Sequence, residues 1–89
     1  MKQVKNCRGE TKVSIGFVLM HISILRESEI FNKLLKIPEV VELHHLFGVY
    51  DLIVKIEAKD YESIGEIVVN KIRTIEGIAD TKTLTTIGL

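Results

Sequence analysis

The chain is 89 residues long, 46% apolar and 27% charged, with twelve basic side chains balancing twelve acidic ones. That length holds one domain and buries only about 60–65% of its extended-chain surface, so part of the apolar excess, seen in a mean hydropathy of +0.23, is expected at a subunit interface. Zero net charge argues against direct nucleic-acid binding, which draws on a basic surplus, and the single cysteine, Cys7, rules out an internal disulfide or a CxxC site and fits a cytoplasmic setting.

Residues 1–13 read as a tail without periodicity, in which Lys2, Lys5, Arg8 and Lys12 face Glu10 alone. A short basic tail of this kind is a solvated terminus rather than a DNA arm. The apolar run 13–25 imitates a secretion signal, yet it holds His21 and lacks a small-residue cleavage site. It is also shorter than the roughly 20 apolar residues that span a bilayer, so no membrane association is expected.

Residues 15–24, IGFVLMHISI, are apolar on both alternating faces, the pattern of a central strand covered on both sides. In the following RESEIFNKLLK, the side chains of Ile30, Phe31, Leu34 and Ile37 recur at helical spacing. Ser28 is placed to cap that helix and Pro38 to stop it. Residues 40–47 read as a second strand, Gly48-Val49-Tyr50-Asp51 as a hairpin connection, and residues 52–58 as its partner strand. In the partner strand Leu52, Val54, Ile56 and Ala58 face one way, with Ile53, Lys55 and Glu57 facing the other. Asp60 caps a second helix whose stripe is Ile64, Ile67, Val68, Ile72 and Ile75. Gly65 interrupts that helix, which suggests close backbone packing there, and Gly77 stops it. Residues 78–87 form the last strand, in which Thr81, Thr83 and Thr85 alternate with Lys82, Leu84 and Thr86.

The order βαββαβ defines an α+β, ferredoxin-like domain, a four-stranded antiparallel sheet with both helices on one face. The helix-free face then carries apolar side chains that a second sheet should cover, which implies a dimer with sheets face to face. His44 and His45 should point to opposite faces of their strand and cannot pair on a metal. No phosphate loop, nucleophile elbow or acid/base pair stands out, and neither catalysis nor a metal or cofactor is expected. The segment 47–51 differs from the rest. A glycine that permits an unusual backbone angle adjoins an amphipathic ring and a carboxylate, suited either to a plain turn or to a pocket lip binding an ammonium group.

These elements together resemble the ligand-binding domain of the Lrp/AsnC, leucine- and asparagine-responsive regulators. The motifs that carry the likeness are Pro38-Glu39-Val40 before a strand, the hairpin Gly48-Val49-Tyr50-Asp51, and Glu76-Gly77-Ile78 before a strand bearing Thr81, Thr83 and Thr85. Glu76 stands where the family usually has proline, and Phe47 where a small or polar residue is common. The resemblance implies dimers formed through the sheet in an α+β barrel-like assembly, then rings of dimers. It further implies an amino-acid effector between dimers that meets Gly48, Val49 and Asp51, with Tyr50 nearby and hydroxyls from Thr83 or Thr85. Residues 14–89 would be that domain. The thirteen residues before it are too few for the family's helix-turn-helix of about fifty residues, so a stand-alone effector domain is expected, with full-length regulators as further partners. Two other functions fit the same residues: an interaction module that joins such regulators without a ligand, and a small dimeric enzyme.

Overall fold

The computed structural model describes residues 13–86. The basic tail with Cys7, and the expected strand end at Ile87, lie outside these residues. Six main elements follow the expected order: β1 (Ser14–Ile22), α1 (Glu27–Leu35), β2 (Val40–His45), β3 (Leu52–Ala58), α2 (Tyr61–Ile67) and β4 (Ile78–Thr85). The strands form one antiparallel sheet in the order β2-β3-β1-β4. With both helices on one face, the fold is ferredoxin-like, as the sequence predicts.

Register explains the one-sided core. Val18 pairs with Val54, Met20 with Leu52 and Gly16 with Ile56, and paired residues share a face. Their side chains meet Ile30, Leu34 and Ile37 from the first helical segment and Ile64, Ile67, Val68, Ile72 and Ile75 from the second, all buried. No polar or charged side chain is buried with them among the described residues. The second stripe is the one read from sequence; in the first, Phe31 is only partly buried and packs at the edge of the core.

The close helix–sheet approach is at Gly16, not Gly65. A Cβ on Gly16 would lie 2.8 Å from Ile64 Cγ2, whereas one on Gly65 meets nothing within 4 Å. The helix rests on β1 where β1 lacks a side chain, and Gly65 looks outward. Gly77 has φ 102°, and a Cβ there would also lie 2.9 Å from Ile30 Cδ1, so the turn before β4 has two reasons for glycine.

Other differences are local. A 3₁₀ turn, Ile24–Arg26, leads directly into α1, so Arg26 rather than Ser28 sits at the cap position and no side chain caps the helix. Glu27 and Glu29 in its first turn complement the helix dipole instead. The chain leaves α-helical geometry at Lys36, before Pro38, with Ile37 N–H donating to Leu34 O over 3.1 Å. Asp60 caps α2 as expected, its Oδ1 accepting from Ser63 N–H at 2.8 Å. That bond to the helix N-terminus holds the Asp60 carboxyl below its ordinary value of 3.8. Beyond Ile67 the helix widens into a π turn, Val68–Ile72, in which Arg73 N–H reaches Val68 O at 2.8 Å. Strand β2 ends at His45, two residues early; Leu46 N–H still bonds Asp51 O at 2.9 Å, which leaves 47–50 as the loop tip.

Candidate functional site

The hairpin loop joins β2 to β3 at one end of the sheet, and Gly48 turns it with φ 138°. A positive angle of that size is costly for a residue with a side chain. Phe47, Gly48 and Val49 are exposed, whereas Tyr50 and Asp51 are partly covered.

Asp51 is fixed by the ladder it terminates. Its N–H donates to Met20 O at 2.9 Å, the last backbone bond between β1 and the hairpin. The next donor on that edge, Ile22 N–H, finds no strand opposite because the chain has turned away at Tyr50. The Asp51 carboxylate takes it instead, with Oδ2 3.0 Å from Ile22 N. Oδ1 has no donor among the described residues, and the side chain remains 49% exposed. One oxygen is structural and the other is open.

His21 completes the cluster. It lies across from Asp51 one step beyond the Met20–Leu52 pair; its Nδ1 is 3.7 Å from Asp51 Oδ2. Its ring stacks on Tyr50 with centroids 4.7 Å apart and planes at 29°. The sequence assigns His21 no role beyond arguing against a secretion signal. The available signal was the alternation of β1, which puts Ile15, Phe17, Leu19 and His21 on its helix-free face.

Opposite His21 the sheet is bulged. Met20 pairs with Thr81 and Ile22 with Ile78, so Ala79 and Asp80 oppose His21 alone. Such bulges re-aim side chains. The register also fixes which face of β4 is which. Leu84 pairs with Phe17 and Lys82 with Leu19, whereas Thr81, Thr83 and Thr85 pair with Met20, Val18 and Gly16. Thr83 and Thr85 therefore lie on the helix side, exposed and two and four residues farther along β4 than Thr81. Asp51 alternates with Leu52 and faces the helix-free side. Within one protomer the hairpin residues and the two threonines are not brought together.

The two neighbouring histidines point to opposite faces, as expected. His44 Nε2 is 3.2 Å from Glu42 on the helix-free side, and His45 Nε2 is 3.2 Å from Glu27 of α1 while its ring stacks on Phe31. The helix-free face is apolar along its middle: Ile15, Phe17, Leu19 and Ile53 are half-buried and Leu84 is 45% exposed. Lys55, Glu57, Glu42 and Lys82 surround them.

An open groove of about 460 Å³ lies at the other end of β3, lined by Glu39, Ala58, Lys59, Ser63, Glu66, Ile67, Asn70 and Lys71. Lys71 Nζ bridges Glu39 at 3.0 and 3.2 Å, and this bond holds the Glu39 carboxyl below its ordinary 4.5. The groove is thus remote from the hairpin and crossed by its own ion pair. None of the described helices is long and apolar enough to cross a membrane.

A one-sided, four-stranded antiparallel sheet with both helices on one face, an apolar open face and a carboxylate at a glycine hairpin define a small α+β domain of ferredoxin-like fold. The Lrp/AsnC ligand binding domain profile matches residues 17–88, and the chain belongs to that family. A transcriptional regulator of the HTH type from Pyrococcus furiosus is 35% identical over 82% of this chain and 53% of its own length; the chain thus spans about half the length of the curated relatives it matches. The crystal structure of FFRP-DM1 is similar at TM-score 0.78 and 36% identity, covering 83% of this chain and 99% of that one. A complex of the Neisseria meningitidis transcriptional regulator NMB0573 with L-Met has the same fold, with TM-score 0.82 over 99% of this chain and 58% of that one, at 14% identity.

Proposed function

We propose that this domain binds an amino-acid effector at the hairpin and assembles through the helix-free face of its sheet. The observation that carries the reading is the divided Asp51 carboxylate. Oδ2 is anchored on Ile22 N–H and Oδ1 is left to meet a ligand ammonium beside Tyr50 and the Gly48 turn. A carboxylate–ammonium hydrogen bond is among the stronger polar contacts. Val49 and the freed backbone around Gly48 would border the rest of the ligand. Thr83 and Thr85 lie on the other side of the sheet, so they would reach the same ligand from a neighbouring protomer. The resemblance to a family whose ligands lie between dimers is consistent with that geometry, and the L-Met complex of the Neisseria regulator makes an amino acid the first class to test. On this reading the domain couples an amino-acid effector to the assembly of Lrp/AsnC-type regulators, full-length ones among its partners, and carries no catalytic chemistry.

Thermal shift against the standard L-amino acids tests the proposal, since a ligand of the native state raises apparent stability by mass action. A rise in Tm with at least one amino acid, lost in Asp51→Asn, is the expected result. No response to any of them overturns effector binding.

A second reading, a ligand-free interaction module, draws on exposed Ile24, Leu25, Phe47 and Val49, which border the same end of the sheet and suit contact with another protein. Co-assembly with a full-length regulator, undisturbed by Asp51→Asn and without any amino-acid response, would favour it.

A further inference from the structure

His21 is not needed to explain how a hairpin carboxylate would hold an amino acid, yet it closes that carboxylate off on the β1 side. Its ring lies against Tyr50 and its Nδ1 approaches, at 3.7 Å, the oxygen of Asp51 that Ile22 N–H already holds. The bulge leaves His21 as the single residue opposite Ala79 and Asp80, and its side chain is 36% exposed, open to solvent protons.

We propose that His21 is a positioning residue that makes effector binding depend on pH, its imidazolium competing with the ligand ammonium for Asp51. The inference rests on the hairpin reading above and names its regulation. Histidine is the side chain whose charge changes between about pH 5 and 8. When His21 is neutral, the Asp51 carboxylate keeps its full negative charge and Oδ1 can meet an ammonium. When His21 is protonated, the same carboxylate is partly neutralised, and the incoming ammonium is repelled by a cation on its far side. Binding therefore expels a proton from His21, and the ligand affinity falls as pH falls.

Among the described residues, the charged and titratable groups around His21 are few. The hairpin presents Asp51 and Tyr50. Strand β4 presents Asp80 across the bulge and, one step along the same face, Lys82 opposite Leu19. The Arg26–Glu76 pair, at 3.4 Å, belongs to the helix side, where Arg26 packs beside Gly77. Of these, only Asp51 lies between the ring and an ammonium seated on Oδ1.

Two unit charges about 5 Å apart at a half-exposed site, with an effective dielectric constant of about 50–70, change affinity by about five- to tenfold. Calorimetric titration of the whole chain with the standard L-amino acid that gives the largest thermal shift, at about pH 5.5 and about pH 7.5, measures this directly. Wild type should bind about five- to tenfold more weakly at the lower pH, with a binding enthalpy that varies with the buffer's ionisation enthalpy because a proton is released. His21→Phe keeps a ring against Tyr50 without a charge, and His21→Gln is the substitute should that ring fail to pack. Either variant should bind with nearly the same affinity at both pH values, since His44 and His45 remain in place as an internal control. Equal pH slopes in wild type and both variants, or tighter wild-type binding at the lower pH, would overturn the role of His21 and leave the amino-acid site standing. Wild type that binds no amino acid at either pH removes the site and the inference together.

Discussion

Asp51→Ala removes the acceptor that Ile22 N–H uses where β1 outruns β3. That donor is part-buried and 3.0 Å from Oδ2, and no backbone carbonyl replaces the lost oxygen because the loop has already turned. Leaving a buried donor without a partner costs about 1–3 kcal/mol. Here the Asp51 side chain is 49% exposed, so water reaches the vacated position and the lower end applies, about 1–1.5 kcal/mol. A domain of this size loses about 4–8 °C in Tm per kcal/mol, so Asp51→Ala should melt roughly 5–10 °C below wild type. Asp51→Asn keeps an oxygen in place and should recover most of that loss. Circular-dichroism melts of the three proteins at one protomer concentration provide the comparison, the concentration being fixed because assembly also shifts Tm. An alanine variant that melts with wild type would show that the Ile22 bond carries no stability, and the account of Asp51 as the end-piece of the ladder would be wrong. The same contrast decides how to test ligand binding. Alanine loses both the anchor and the ammonium partner, whereas asparagine loses chiefly the charge.

Three further outcomes follow from the packing and electrostatics. Gly16→Ala drives a methyl to 2.8 Å from the branched, buried Ile64 Cγ2 and should destabilise by about 1–3 kcal/mol, whereas Gly65→Ala meets nothing and should stabilise by about 0.5–1 kcal/mol; urea titrations showing the reverse order would refute the placement of α2 on β1. Because Lys71 lowers the Glu39 pKa, the pair's contribution is present above the ordinary value of 4.5 and is lost as pH falls through the lowered one. The stability gap between wild type and Glu39→Gln should therefore close in acid, and a gap constant across that window would contradict it. Phe17→Lys places a charge in the middle of the open face and should reduce the assembly's mass in light scattering, whereas unchanged mass would point to another interface.

Much of the fold was legible because burial here is one-sided and leaves a period. Alternation in β3 identified Leu52, Val54 and Ile56 as core, and the three–four spacing in both helices identified their stripes. What escaped depends on partners distant in sequence. Nothing local distinguishes Thr81, Thr83 and Thr85 from Lys82, Leu84 and Thr86 as the helix-side set; the pairing of Leu84 with Phe17 decides it. The two glycines of β1 and α2 have the same composition signal, and only the crossing of helix over strand makes Gly16 the close one. Ser28 reads as a cap, yet the 3₁₀ turn at Ile24–Arg26 starts the helix two residues earlier. Gly48 and Asp51 stood out at the hairpin, but His21 joined them only because β1 and β3 align thirty residues apart in sequence.

That alignment also places the proposed site and the proposed assembly surface in one row. Ile15, Phe17, Leu19 and His21 share the helix-free face of β1, and the row ends at the Asp51 carboxylate. A partner sheet that covers Phe17 and Leu19 would desolvate the neighbourhood of His21 and Asp51, which strengthens a carboxylate–ammonium contact by lowering the local dielectric constant. Ligand affinity should then be higher in the assembled state, and linkage requires the ligand to promote assembly by the same factor. Sedimentation of the wild-type chain across a range of protomer concentrations, with and without the responding amino acid, reads that factor as a shift in the assembly midpoint. Calorimetric titration of Phe17→Lys reads it as weakened binding at a site whose own residues are intact. An unshifted midpoint together with undiminished affinity in Phe17→Lys would mean that the two surfaces are energetically independent despite sharing a strand.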